Sequence, residues 1–370
     1  SRAVIKADNP WRPSANDKES SLYIAWLANN DLTYEKKHEL NFGLDAGFLN
    51  NRINFTFDIY TRRNYDLIGA TNTMGVGGET TKYGNVAKMK SNGVELSLNT
   101  VNIKTKDFTW STDFIYSHMH NEVTELNTYN RLYDYISGYG FTMPGYPQRS
   151  LFSIPFAGLN NEGLPTFYDP DGNITVTGID MQEYDPERLK FLKYEGPADP
   201  TDVGSLGNIF RYKNLTLNVF ITYSFGNVVR LDPVFSSQYS DLTATPKEFN
   251  NRWIKPGDEK FTNIPVIASR QQLNNIAYLS RAYQSYNYST ARVAKGDFIR
   301  MKEISLAYEF PKTLTQPLHL SNLSLKLQAT NLFLLYADKK LNGQDPEFFN
   351  TGGVATPMPK QFTLTLKFGI

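Results

Sequence analysis

From Gln361 to Gly369 polar and apolar residues alternate without a break, and the sequence ends one residue later at Ile370. A period of two is the signature of a strand with one apolar and one polar face. Phe362, Leu364, Leu366, Phe368 and Ile370 form the apolar row. In water such a strand invites edge-to-edge aggregation, whereas a membrane-spanning β-barrel turns that row to lipid.

The pattern recurs at about 39–48, 52–68, 92–101, 108–120, 204–212, 215–230, 297–310, 321–334 and 360–370, with a tenth candidate near 21–28. In the second stretch Ile53, Phe55, Phe57 and Ile59 oppose Asn54, Thr56, Asp58 and Tyr60. Leu215, Leu217, Val219, Ile221, Tyr223 and Phe225 oppose Thr216, Asn218, Thr222 and Ser224, and Leu323, Leu325, Leu327 and Ala329 oppose Ser324, Lys326 and Gln328. Most stretches reach the ~9–11 residues that cross a bilayer obliquely, beyond the ~5–6 of a common soluble strand.

Connection lengths carry a second regularity. Asn50-Asn51, residues 102–107, Lys213-Asn214 and residues 311–321 are short joins, while 70–91, 121–203, 231–296 and 335–359 are long. Every second connection is therefore long. Outer-membrane barrels have short periplasmic turns and long extracellular loops, so a periplasmic C-terminus puts all four long connections outside. A secreted β-sandwich, a carbohydrate-binding or adhesion module, shares the alternation but has no reason to gather its insertions at one end.

Composition narrows the classes further. With 38 basic and 37 acidic residues the 370-residue chain has a formal charge of +1, which speaks against nucleic-acid binding by a basic face. There is no cysteine, hence no disulfide or thiolate metal site. No apolar run approaches the ~18 residues of a membrane helix. The mean hydropathy is -0.44, a value that leaves a β-barrel open because its alternating faces cancel in any window. Aromatic residues make up 14%, with 23 Tyr and 24 Phe, as suits strands and interfacial girdles.

Candidate chemistry is sparse. His118 and His120 share a strand face but have no evident third ligand, so no metal is expected. Asp169 to Asn173 opens like a calcium loop, yet Ile174 and Asp180 occupy the positions where an EF-hand needs Gly and Glu; a polar turn is the expectation. Asp345 and Glu347 form a carboxylate pair without a positioned acid, base and cleft. The chain is expected to be no enzyme and to use no cofactor. Tyr133, Tyr135, Tyr139, Phe141 and Tyr146 in one long connection, and Tyr283, Tyr286 and Tyr288 in another, are the candidates for contact with a substrate or lid. Asn54, Asp58, Asn218 and Lys326 are candidates to face a lumen.

Residues 41–60 (NFGLDAGFLNNRINFTFDIY) with Asp66-Leu67, Gly93 to Leu98 (GVELSL), Arg252 to Asp258 (RWIKPGD) and Ala291 to Pro311 (ARVAKGDFIRMKEISLAYEFP) resemble the C-terminal half of SusC/RagA-type TonB-dependent outer-membrane transporters. The resemblance runs from about residue 30 to the end. It implies an all-β transmembrane antiparallel barrel of roughly 22 strands, of which this chain holds the C-terminal nine or ten. It also implies a plug, a TonB-contacting segment and a SusD-like surface lipoprotein that closes over the mouth, with an oligosaccharide or peptide as cargo. Ser1 is no initiator, and the plug, TonB box and signal peptide are expected outside residues 1–370. Nine or ten strands leave two open edges, so the wall must pair with remaining barrel strands before outer-membrane lipid can surround it.

Overall fold

Nine of the alternating stretches pair, each with the next in sequence, into one antiparallel sheet. In the computed structural model, which describes residues 3–8, 21–26, 29–72, 81–126, 130–138, 140–234, 246–348 and 359–370, these are β1 (Lys36–Phe48), β2 (Ile53–Asn72), β3 (Thr81–Lys104), β4 (Phe108–Leu126), β5 (Asp202–Tyr212), β6 (Leu215–Phe225), β7 (Phe298–Glu309), β8 (Asn322–Ala337) and β9 (Gln361–Gly369). Every neighbour in the sheet is a neighbour in the chain, so the wall is a simple meander. Among the described residues it does not close, and β1 and β9 are its edges.

The register turns single-strand alternation into continuous rows. Leu217, Leu306, Leu327 and Leu364 stand opposite one another across four strands, and one residue along stand Asn218, Ser305, Gln328 and Thr363. At the other end Phe57, Leu96 and Tyr116 form one row and Asp58, Glu95 and Ser117 the adjoining one. Apolar side chains on that face are left uncovered, with Phe42 63%, Leu327 53% and Leu364 66% exposed. A one-residue slip would exchange the two faces throughout, so turns must hold register.

The joint between β1 and β2 shows how. Leu49, Asn50 and Asn51 take φ of 52°, 54° and 61°, the left-handed region that Asn tolerates best among residues with a side chain. Arg52 then bonds the Val101 and Asn102 carbonyls through Nη2 at 3.0 and 3.1 Å, tying the turn to the end of β3. Asn214, in the join between β5 and β6, likewise donates to the Glu309 carbonyl at 2.8 Å.

Three expectations change. The stretch near 21–28 does form a strand, Ser21–Trp26, but it pairs with Val4–Asp8 in a separate two-stranded sheet and not with the wall. The stretch at 215–230 leaves the wall at Phe225, and Val228–Arg230 pairs instead with Val293–Lys295. The expected long connection at 70–91 narrows to 73–80, because β2 and β3 keep pairing as far as Asn72 and Thr81. That connection is shorter than 310–321, so loop length alternates less strictly than the sequence suggested, although the two longest connections still leave the same end of the sheet. The described residues form one nine-stranded sheet and four small sheets of two or three strands, unlike the two large sheets of a β-sandwich.

The largest buried core lies outside the wall. The connections 127–201 and 226–297 fold together into a cap in which Leu132, Ile136, Ile154, Phe167, Leu279 and Tyr286 share one apolar cluster. Backbone bonds join them: Ile154 N–H donates to Tyr288 O, and Thr290 N–H donates to Ile154 O, both at 3.1 Å. A helix, Leu279–Asn287, presents Leu279, Ala282, Tyr283 and Tyr286 to this core, the i, i+3, i+4, i+7 face of an amphipathic helix.

Candidate functional site

The described part of the connection between β4 and β5 begins at Asn130 and enters a short helix, Leu132–Ile136, whose start is built by one salt bridge. Arg131 donates to Asp134 through its backbone N–H at 2.8 Å and its Nη2 at 3.0 Å, and its Nη1 reaches Gln182 Oε1 at 3.1 Å. Leu132 and Tyr133 donate their N–H groups to Glu183 O and Met181 O, which brings residues 181–184 alongside. The result is an open cleft of about 540 Å³ lined by Asn130, Arg131, Asp134, Ser137, Phe141 and Tyr184. Its charges neutralise each other. Burial works against ionising Asp134, but the bonds from Arg131 outweigh it and hold the carboxyl below its ordinary range. The cleft thus offers planar hydrogen-bonding groups beside two aromatic rings, with no free net charge.

The sequence candidates divide by depth. Tyr135 packs on Phe141 at 4.7 Å and on Phe152 at 6.1 Å, and Tyr146 packs on Phe152 and Tyr194 at 5.1 and 4.8 Å, so three of the first set join one aromatic cluster. Tyr133 meets Tyr288 edge-on at 5.9 Å, linking the two connections. Tyr133, Tyr135, Phe141 and Tyr146, with Tyr288, are half-buried. Tyr283 and Tyr286 are each 1% exposed. Tyr283 donates its hydroxyl to Val266 O at 2.7 Å, and burial raises both hydroxyls, Tyr286 to about 12. These two hold the cap together from within, out of reach of a ligand at its surface. Tyr139 lies outside the described residues.

On the wall, Asn54, Asp58, Asn218 and Lys326 all lie on the polar face. Asn218 Nδ2 and Lys326 Nζ meet at one carboxylate, Glu303 Oε1, at 3.3 and 3.7 Å, while Asn41 donates to Asp58 at 3.4 Å and Asn54 donates to Asn51 O at 2.9 Å. His118 is on the opposite, apolar face, its Nδ1 2.9 Å from Asp202 Oδ1. Among the described residues no three His, Asp or Glu side chains gather as metal ligands would. Asp169 folds back on its own turn, accepting from the N–H groups of Asp171 and Asn173 at 2.9 and 2.8 Å.

Sequence reading missed the buried arginines that fasten the long connections to one another and to the wall. Arg230 donates to Phe152 O at 2.5 Å, and burial lowers it to about 10. Arg292, 2% exposed, bonds Glu248 and the Asp232 carbonyl. Arg300 on β7 pairs with Asp345, and Glu347 lies 3.0 Å from its Nε, so the carboxylate pair noted in the sequence serves an arginine. A basic residue between two apolar ones, Arg300 between Ile299 and Met301, was the available signal.

No protein-family model matches the chain. A TonB-dependent receptor of Formosa agariphila is 26% identical over 367 residues, covering 93% of this chain and 34% of the receptor. The TonB-dependent receptor SusC of Bacteroides thetaiotaomicron is 28% identical over 355 residues, covering 91% of this chain and 32% of SusC. The chain therefore spans about a third of the length of the curated relatives it matches. In fold it is similar to the RagAB peptide transporter, with a TM-score of 0.72 at 24% identity over 99% of this chain and 38% of the other. The RagAB peptide importer in its open-open state gives 0.73 over 100% of this chain and 38% of the other. None of these names denotes an enzyme. Its open meander, its two-faced rows and its similarity to TonB-dependent receptors including SusC, together with the fold it shares with RagAB, support a SusC/RagA-type TonB-dependent transporter of which this chain covers a part.

Proposed function

We propose that the chain forms the C-terminal part of the barrel in a transporter that imports an oligosaccharide or peptide across the outer membrane of a Gram-negative bacterium. The observation that carries this reading is a wall with one apolar and one polar face that bears a folded cap at one end only. The apolar face suits lipid; the polar row with Asn54, Asp58, Asn218 and Lys326 suits a lumen occupied by water or a plug. The cap and the other long connections are then extracellular, and the C-terminus periplasmic.

In this reading the chain performs no covalent chemistry. The remaining strands satisfy the free edges of β1 and β9, and the plug and TonB-contacting segment belong to the rest of the protein. A SusD-like lipoprotein closes over the cap. Half-buried Tyr133, Tyr135, Phe141, Tyr146 and Tyr288, with the cleft at Arg131 and Asp134, are the surfaces offered to lid or cargo; rigid aromatic rings stack equally on sugars and peptide side chains. The RagAB structures are named for peptide, whereas the cleft's neutral polar lining suits either class.

The test is uptake. Deleting the gene for the full-length protein should abolish uptake of one class among labelled oligosaccharides and peptides, and the tagged protein should bring a surface lipoprotein with it on purification in detergent. Unchanged uptake of every compound, together with a full-length protein that purifies alone without detergent, would contradict the proposal.

A further inference from the structure

The apolar rows of the wall end abruptly toward the long connections. Phe42, Ile59, Val94 and His118 stand opposite one another; the next row on that face is Leu40, Thr61, Asn92 and His120; the one after it is His38, Arg63, Lys90 and Glu122. Within two rows the surface passes from hydrocarbon to cations. That is the depth at which an acyl region gives way to headgroups.

Two features at this boundary are unusual. Thr61 and Asn92 are shorter than the residues around them, so a groove of about 360 Å³ opens between Leu40, Phe42, Ile59, Val94 and His118. Directly above it, His38, Arg63 and Lys90 lie side by side on three adjacent strands, and Arg63 and Lys90 stand opposite each other as like charges. Lys90 is answered by Glu122 at 2.9 Å, and His38 rests edge-on against Tyr65 at 5.3 Å. The Arg63 side chain is exposed and makes no hydrogen bond or ion pair among the described residues.

We propose that the groove and the Arg63 row form a binding site for one phosphate-bearing lipid, its acyl chain in the groove and its phosphate on the Arg63 guanidinium. A planar guanidinium matches two phosphate oxygens at once, which a neutral headgroup cannot exploit. The anion also relieves the row of opposed cations, and the groove fills at a depth where only a lipid chain can enter from the side. The leaflet is the one on the side of the long connections. The site rests on the outer-membrane placement of the barrel and is independent of which nutrient is carried.

The experiment uses the full-length protein, extracted in mild detergent and mixed with equal amounts of lipid A and of the same lipid A stripped of phosphate; native mass spectrometry reads which is retained. The wild type should retain the phosphorylated form about tenfold better, the loss expected for one charge-assisted pair, and Arg63→Gln should remove the preference. Asn92→Leu should lower retention of both forms, and excess inorganic phosphate should displace neither. Equal retention of the two forms by the wild type, an unchanged preference in Arg63→Gln, or displacement by inorganic phosphate alone overturns the proposal. Should a variant fail to assemble, shown by loss of heat-modifiable migration, the wild-type comparison decides alone. A protein that imports normally yet retains both lipids equally overturns this site and leaves the import reading standing.

Discussion

Arg292 Nη2 lies 2.6 Å from Glu248 Oε1, with the two side chains 3% and 16% exposed, and this pair closes the second long connection on itself. The same carboxylate accepts from Asn342 Nδ2 at 3.2 Å, and Gln344 donates to Asp232 at 3.2 Å, so the last connection is fastened to the cap through the same pair of acids. The cap is thereby bonded to the connection that follows β8, which Arg300 on β7 holds in turn through Asp345.

Removing one partner leaves the other's charge uncompensated in a largely buried site. Glu248→Ala is expected to cost the cap about 3–5 kcal/mol, while the double variant Glu248→Leu/Arg292→Met costs less than either half. Hydrogen exchange across residues 246–292 in the full-length protein measures this: the single variant should exchange faster there with the wall unchanged. Equal protection in wild type and Glu248→Ala would remove the pair from the account.

Tyr283 separates packing from recognition. Tyr283→Phe loses the hydroxyl and with it the bond to Val266 O, and should cost about 1 kcal/mol, whereas Tyr283→Ala leaves a cavity costing roughly 3–5 kcal/mol. Neither should alter which compound is taken up. A changed cargo preference in Tyr283→Phe, with protection of the cap unaltered, would make Tyr283 a contact residue after all.

Alkaline titration follows from the same core. Burial raises the Tyr286 hydroxyl to about 12, and burial with the neighbouring Tyr133 raises Tyr288 to about 12, against an ordinary phenol near 10. The folded cap holds these protons more tightly than the unfolded chain. The stability they contribute is therefore complete below about pH 10 and lost as pH climbs to about 12. Tyrosinate absorbance should show a late phase near pH 12 that coincides with cap unfolding and shrinks in Tyr286→Phe; a single phase near pH 10 in the folded protein would contradict it.

The cleft makes a functional prediction. Tyr184 is 55% exposed beside the Arg131–Asp134 pair, so Tyr184→Ala should weaken cargo binding by about tenfold, as loss of an aromatic anchor does, with little change in stability. Binding to the full-length protein and its lipoprotein, measured calorimetrically, reads this. Unaltered affinity would take the cleft out of the cargo path.

The wall was legible because its determinants are local. Alternation in Ile53 to Tyr60 or Leu323 to Gln328 names both faces, and antiparallel pairing of consecutive strands follows from short turns such as Leu49 to Arg52. The tenth strand was misassigned because Ser21–Trp26 alternates like the rest, and alternation does not say which neighbour a strand takes. The cap was hidden for a different reason. Phe167, Ile154 and Tyr286 are far apart in sequence and join one core only after two connections meet, so no window of residues contains the signal. Arg131 and Asp134, three apart at a helix start, carried a local sign of the cleft, yet nothing local placed Tyr184 beside them.

The two-faced wall is the central claim, and single cysteines on β8 test it most directly, since this chain has none of its own. In the full-length protein in native membranes, fluorophores placed at Leu323, Leu325 and Leu327 should be quenched by a lipid-phase nitroxide. Those at Ser324, Lys326 and Gln328 should be quenched instead by a water-soluble agent. Strict alternation along the six positions is the predicted result; six positions equally open to the water-soluble agent would contradict a wall that faces lipid.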